Sequence, residues 1–163
     1  MKTLSLRQVL VAGLMVASFS VVADVNKPDF ARYPAEPVNA TVKHPLSGAN
    51  DQIRARVAYV KNNQEKPDFA GHYVIAAYGC GSGCMATALV DVKTGVVYRA
   101  PFNQPKEGQG SYRVDSKLIR FTNLQYERAG SPQMVAQDGL AVWNDEAKKF
   151  ELLEKGKVYK LDM

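Results

Sequence analysis

The stretch HYVIAAYGCGSGCMATALVDVKTGVVYRA, from His72 to Ala100, decides the fold of this 163-residue chain. Its first seven residues are aromatic, β-branched or small, which predicts a strand. ATALVDV and VVYRA flank KTG, which predicts a hairpin with a glycine in the left-handed position of its turn. Between the first strand and this hairpin lies the loop YGCGSGC, which holds both cysteines of the chain. The stretch therefore predicts consecutive antiparallel strands.

The same pattern continues towards the C-terminus. SYRV and LIRFTNL flank DSK, LAVWN and KFELLE flank DEAK, and EKG is predicted to turn into KVYKL. Short strands that recur at about 8–12 residues with turn residues between them are typical of an antiparallel meander. Two longer loops, 103–110 and 125–133, interrupt it. Loops of this length often carry function.

The segment before the strands has a helical period. Ile53, Val57 and Val60 fall at i, i+4 and i+7, which predicts one helix over about Asn50 to Asn62, with Ser47 or Asn50 as its N-cap. The predicted class is α+β: a mainly antiparallel β meander, as a sheet or a partly closed barrel, with one short N-terminal helix. The main alternative is an all-β barrel or sandwich.

The N-terminus has the pattern of a secretory signal peptide over residues 1–23. Lys2 and Arg7 precede an apolar run, and small residues around Ala23 suit signal peptidase. The alternative is an uncleaved anchor, for which the apolar run is short. The prediction is therefore a periplasmic or secreted protein with a Pro-containing extended lead-in over 24–46 and a single β-rich domain over 47–163.

The charge of the chain is mildly basic. Loss of Lys2 and Arg7 with the signal peptide, and of no acidic residue, would lower the formal net charge from +5 to +3. The basic residues are scattered along the sequence, as in an ordinary solvated surface. No nucleic-acid partner is predicted, and no membrane span after cleavage of the signal peptide.

The two cysteines are predicted to form a disulfide. In an oxidising compartment this is the ordinary fate of a close pair, and Gly81 and Gly83 give the backbone the freedom to close it. So short a loop removes little chain entropy, so the stabilisation should lie at the low end of about 2–4 kcal/mol. A redox role and a metal site with His44 and His72 are the alternatives. The usual thioredoxin-like motif is C-x-x-C, and the copper-delivery thioredoxin-like proteins that have C-x-x-x-C pair it with a downstream histidine, whereas this chain has none after His72. The spacing of the four residues also matches no zinc motif.

The loop has no complete catalytic set. CGSGC resembles the nucleophile elbow G-x-S-x-G, but Cys80 and Cys84 stand where that motif requires glycine, so Ser82 has no motif support. A hydrolase would have to use His72 with a free thiol of the loop. No catalytic residue, cofactor or metal ion is predicted.

The favoured interpretation of the loop glycines is that they only permit the turn. The functional alternative is that successive N–H groups of Gly81, Ser82 and Gly83 form a concavity that favours anions, with His72, Tyr73 and Tyr78 as its walls. Alternation along the strand places His72, Val74, Ala76 and Tyr78 on one face, expected to be half-exposed, and Tyr73, Ile75 and Ala77 on the other, expected to be core. The single tryptophan, Trp143, is also expected to be core.

The residues from Phe69 to Tyr98 resemble a signature of small, largely uncharacterised exported proteins of Gram-negative bacteria. The shared features are an F-x-G-H-Y strand, a glycine–cysteine loop and a D-x-K-T-G hairpin, and they cover about 30 of the 163 residues. The resemblance implies export and a single small domain, and it implies no catalytic residues.

These observations predict a periplasmic binding protein. Its partner would be a protein, in the manner of an inhibitor or immunity protein, or a small envelope ligand. The alternatives are a small periplasmic hydrolase, or a thiol- or metal-dependent protein, using His72 and the Cys80/Cys84 loop, and a structural envelope protein.

Overall fold

The computed structural model describes residues 24–61, 66–82, 84–108 and 110–161. A single turn of 3₁₀ helix at Phe30–Arg32 precedes the α-helix and the seven strands, which are α1 (Asp51–Lys61), β1 (Tyr73–Gly81), β2 (Cys84–Asp91), β3 (Val97–Arg99), β4 (Gln104–Pro105), β5 (Leu118–Tyr126), β6 (Met134–Asn144) and β7 (Lys149–Lys160). All strand pairs are antiparallel and form a three-stranded sheet, β1-β2-β3, and a four-stranded sheet, β4-β5-β6-β7. The predicted α+β meander with one short helix is confirmed, and the described strands close no barrel.

Helix α1 begins where the sequence predicts. The Asn50 side-chain oxygen accepts a hydrogen bond from the Ile53 N–H at 2.9 Å, which caps the first turn. Val57 is fully buried against the three-stranded sheet, with Ile53 and Val60 partly buried beside it. The end of the helix agrees with the prediction within one residue, and Asn62 lies outside the described residues.

The three-stranded sheet is covered on both faces. Tyr73, Ile75 and Leu89 pack towards the four-stranded sheet, while Val74, Ala76 and Tyr78 pack under α1 and part of the lead-in. The predicted half-exposed face of β1 is therefore wrong, because Val74 and Ala76 are 0% exposed and Tyr78 only 6%. Alternation separates the two faces of a strand, but it does not say how many of them are covered.

The core between the sheets is aromatic. Trp143 is 2% exposed, and its ring centroid lies 5.2 Å from that of Tyr73, 5.3 Å from Tyr98 and 5.0 Å from Phe150. Such edge-on and tilted contacts add to the free energy gained from burial. The prediction that Trp143 is core is confirmed.

The first part of the lead-in lies on the outer face of the four-stranded sheet. Val25 is buried with Leu118 and Leu140, and Phe30 and Tyr33 pack beside them. The Tyr33 carbonyl accepts a hydrogen bond from the Lys117 N–H at 2.8 Å. The domain limits drawn from the sequence stay predictions, and the predicted signal peptide, 1–23, lies outside the described residues.

Two local expectations differ from the structure. The predicted strand SYRV forms only an isolated bridge between Tyr112 and Ile119. The predicted turn at EKG is wrong, since β7 runs through it as one strand with register shifts opposite Gln137–Gly139 and Leu140–Ala141. The 11-residue strand β6 offers β7 a partner along its whole length, so bulges absorb the irregularity in place of a turn.

Gly139 lies at a point of β6 where there is no free space for a side chain. A Cβ built there would lie inside the contact radius of the Phe121 ring and 2.8 Å from the Glu154 carbonyl oxygen. Because sheet and ring leave no room, Gly139→Ala should lower the free energy of unfolding by about 1–3 kcal/mol, measured by urea denaturation with Trp143 fluorescence.

The matched control is Gly79→Ala in β1, where an added Cβ meets no atom within 4 Å. Its free energy of unfolding should stay within about 0.5 kcal/mol of the wild-type value. Equal losses in the two variants would contradict the close packing of Phe121 on Gly139.

Candidate functional site

The β1–β2 hairpin ends in a disulfide. Cys80 and Cys84 are joined, with their Cα atoms 5.1 Å apart, in the range that disulfides require. This confirms the predicted pair. With both sulfurs oxidised, the thiol and Cys2His2 alternatives have no thiolate to use. The described residues also contain no group of three or more His, Cys, Asp and Glu side chains placed to hold a metal ion.

The predicted binding residues do not all meet at this hairpin. His72 precedes Cys80 by eight residues of extended chain, so about 26 Å separates them at about 3.3 Å per residue. Gly81 and Ser82 are exposed at the tip, and Tyr78 is buried at its base. Gly83 lies outside the described residues. The hairpin site therefore keeps Tyr78, Gly81 and Ser82, and it excludes His72.

A cavity of about 430 Å³, here called the inner cleft, lies beside the disulfide on the side that faces the four-stranded sheet. Both cysteines line it, together with the chain that follows β3. Polar and apolar atoms line it in about equal measure, and its polar side chains are two amides and one guanidinium. The lining residues that matter here are Met85, Arg99, Pro101, Phe102, Asn103 and Asn123.

Asn103 fixes the floor of the inner cleft. Its side-chain NH2 donates to the Met85 carbonyl at 3.2 Å, and its side-chain oxygen accepts from the Leu124 N–H at 2.7 Å. Its own carbonyl accepts from the Thr87 hydroxyl at 2.9 Å. These bonds tie β2 of one sheet to β5 of the other. The sequence placed Asn103 only at the start of a loop, and no sequence signal marks its bridging role.

A second cavity of about 200 Å³, the outer cleft, lies on the helix side of the hairpin. Tyr78, Cys80 and Arg99 line it with Asn50, Gln52 and Arg56 from the start of α1. The Arg56 guanidinium donates to the Gly79 carbonyl at 2.9 Å, which holds the helix against the hairpin. The hairpin is thus braced by its disulfide and by α1.

The charged side chains among the described residues that line the two clefts are all positive. Arg99 lines both, Arg56 lines the outer one, and no Asp or Glu is among the described residues that line either cleft. A guanidinium presents five N–H donors in a planar fork that matches carboxylate and phosphate groups. The arrangement can therefore bind an anionic group. Arg99 and Arg56 were missed by the sequence analysis because they are ordinary surface positions of β3 and α1.

The opposite end of β1 holds a charged anchor around Asp145. The Asp145 carboxylate accepts hydrogen bonds from the Tyr73 hydroxyl at 2.7 Å and the Trp143 indole N–H at 3.0 Å. The ammonium groups of Lys117 and Lys148 lie 3.5 and 3.6 Å from it. Burial alone would raise the pKa of Asp145, but these hydrogen bonds and charges outweigh it, so the pKa lies below its ordinary value. The anchor links β1 to the β6–β7 hairpin.

His72 belongs to this end of the molecule. Its ring packs on that of Tyr73, with centroids 4.2 Å apart, and its Nε2 lies 3.8 Å from the Asp91 carboxylate. Burial, followed by the positive charge of Lys93, lowers the pKa of His72. The imidazole is therefore neutral near pH 7. The hydrolase alternative needed His72 beside the cysteine loop, and the structure separates them.

Comparisons with protein-family models, with curated proteins and with solved structures find no match. Among the helices in the described part of the chain, none has the length and apolar character needed to cross a membrane.

Asp145→Asn is expected to destabilise the protein in a pH-dependent way. The amide keeps the side-chain shape but removes the charge and one acceptor, so the free energy of unfolding at pH 7 should fall by about 1–3 kcal/mol. Because the folded pKa lies below the ordinary value of 3.8, this contribution is present above that pH and is lost as pH falls through the folded pKa.

The measurement is thermal unfolding of both proteins from pH 7 to pH 2.5, and the difference between their melting temperatures should narrow as the pH falls below 3.8. Asp115→Asn is the control, since Asp115 is a surface carboxylate whose partner among the described side chains is Arg113, and it should change the melting temperature little. A constant difference between wild type and Asp145→Asn across this pH range would contradict the anchor.

Proposed function

We propose that this chain is an exported binding protein of the cell envelope that holds its partner or ligand at the disulfide hairpin. The observation that carries the proposal is the pair of clefts on either side of the hairpin, which share Arg99 and contain no acidic residue among their described lining. An anionic group is the chemistry that such a site recognises.

The inner cleft adds a second requirement. Met85, Pro101 and Phe102 give it an apolar floor, and Asn103 and Asn123 contribute amides close by. A pocket with an apolar floor and few polar groups selects ligands by shape and orients them by those groups. The preferred ligand therefore carries an apolar body and an anionic end. A hydrophobic segment of a partner protein next to a carboxylate meets this description.

The exposed hairpin favours a protein partner. Gly81, Ser82 and Cys84 are exposed at its tip, and the disulfide and the Arg56 contact hold it in one shape. A hairpin braced by a disulfide and by a contact with a helix loses less conformational entropy on binding than a free loop does. The proposal therefore keeps an inhibitor-type or immunity-type protein as the expected form, with a small anionic envelope ligand as the other.

A hydrolytic function is less well supported. A hydrolase needs a general base within hydrogen-bond reach of its nucleophile. Among the described residues that line the two clefts there is neither histidine nor carboxylate. The arginines can bind a substrate, but they do not accept a proton near pH 7.

A periplasmic or secreted location is part of the proposal. A structural disulfide is typical of oxidising compartments, and the pattern of residues 1–23 predicts export. Nucleic acid is not proposed as a partner, since the charge of the chain is low and scattered.

Charge reversal at Arg99 tests the anionic ligand. Immobilised wild-type protein and Arg99→Glu are exposed to the same envelope extract, and bound proteins and small molecules are quantified by mass spectrometry. Arg99→Glu removes a charged hydrogen bond to the ligand and adds a repulsion. The amount of the specifically captured ligand should therefore fall by at least about tenfold relative to the wild type. Arg128→Glu, at an exposed arginine of the β5–β6 loop, should bind as the wild type does. Equal capture by all three proteins would refute the proposal.

Removal of the disulfide tests the role of the hairpin shape. The double variant Cys80→Ala, Cys84→Ala should lose stability at the low end of about 2–4 kcal/mol, because the closed loop is short. It should remain folded, with an unchanged near-ultraviolet circular dichroism signal from Trp143, yet capture less of the Arg99-dependent ligand. Full capture by the folded double variant would show that the disulfide does not shape the site.

A further inference from the structure

A buried carboxylate stands in the middle of β6, on the face opposite the aromatic core. Asp138 is 9% exposed and accepts hydrogen bonds from the Thr122 hydroxyl at 2.7 Å and the Tyr159 hydroxyl at 3.2 Å. It also forms an ion pair with Lys106. The pair is only partly buried, since 25% of the Lys106 side chain and 13% of the Asp138 side chain are exposed. Asp138 thus holds Thr122, Tyr159 and Lys106 together at this point of the sheet.

Tyr159 is the exposed member of this cluster. Its side chain is 42% exposed although it lies on β7, and its hydroxyl is held by Asp138. The ring stands between two cavities of about 280 and 530 Å³ and lines both. These two cavities, with Tyr159 between them, are here called the Tyr159 trough.

The trough contains an acceptor without a donor. One carboxylate oxygen of Glu154, which lines the larger cavity, is buried and has no hydrogen-bond partner among the described residues. Less than 1 Å² of this oxygen is exposed, so it stays buried and unpaired, which is unfavourable, until the Glu154 side chain turns towards the cavity and a donor from outside reaches it. The geometry of β7 places this acceptor five residues before Tyr159, in the same cavity.

The charges of the trough are mixed. Lys106 and Glu107 line the smaller cavity. The larger one is lined by two cations and three carboxylates, which are Lys155, Lys157, Asp24, Asp138 and Glu154. This balance differs from the clefts at the hairpin, where the described charges are positive only. An anionic ligand gains no net attraction here, and a hydrocarbon ligand would leave the Glu154 oxygen unpaired.

From these observations we infer that the Tyr159 trough is a second binding site, independent of the hairpin, and that its ligand is a neutral saccharide. Sugar rings present apolar C–H faces, which pack on an aromatic ring whose orientation is fixed, and hydroxyl groups, which donate to carboxylates and accept from amines and amides. Tyr159 supplies the face, Glu154 the acceptor, and Lys157 and Gln104 the donors. The site takes at least two sugar units, one on each side of the ring.

The test uses three neutral trisaccharides, maltotriose, cellotriose and N,N′,N″-triacetylchitotriose, titrated separately into the ¹⁵N-labelled protein. At least one should bind with a Kd of about 1 mM or below and shift the amide resonances of β7 around Tyr159. Tyr159→Ala should weaken that binding by at least about tenfold, whereas Tyr159→Phe, which keeps the ring, should weaken it by less than about threefold.

The control is Tyr126→Ala, since Tyr126 is another exposed tyrosine, 54% exposed, that lines neither cavity of the trough. It should bind the trisaccharide as the wild type does.

A second variant is needed if Tyr159→Ala disturbs the fold, as judged by Trp143 emission. In that case Glu154→Gln tests the site, and it should weaken trisaccharide binding about fivefold or more. The inference is overturned if none of the trisaccharides binds at about 10 mM, or if binding is unchanged in the variants of Tyr159 and Glu154. A negative result in this test would not contradict the proposed Arg99-dependent site at the hairpin.

Discussion

The packing of Trp143 against Tyr73 and Phe150 is the contact on which the rest of the structure depends. The three side chains come from β6, β1 and β7, and they set the separation of the two sheets. Tyr73 and Trp143 each keep their polar atom satisfied by the same Asp145 carboxylate. The burial of large aromatic side chains and their shared polar partner thus fix one end of the core between the two sheets.

The other end of the core between the two sheets is built differently, and this difference creates the candidate site. There the sheets are bridged by the amide of Asn103, and the space beside it forms the inner cleft. An amide bridge fills less volume than an aromatic ring, so a cavity remains. The disulfide and the Arg56 contact then hold the β1–β2 hairpin over this opening.

Binding surfaces of unlike chemistry result from the same meander. At the hairpin, the described charges are arginines on an apolar floor. On the outer face of the four-stranded sheet, Tyr159 stands among charges of both signs, and a carboxylate oxygen of Glu154 lacks a donor. Helix α1 and the lead-in cover the remaining apolar faces. The polar and charged groups of the two proposed sites therefore lie beside the regions that α1 and the lead-in cover.

The sequence by itself determined the features that depend on near neighbours. Asn50 caps a helix whose apolar residues are spaced for one face, the two cysteines are close enough to pair, and strand and turn residues alternate along the meander. The tertiary structure alone decided which faces were covered and which distant residues met. A second face of β1 is buried because α1 lies on it, EKG extends because β6 is long enough to pair with it, and His72 lies about 26 Å from the disulfide because the strand between them is extended. Arg99, Asn103 and Asp145 acquire their roles from partners far away in the chain, and no local pattern encodes such contacts.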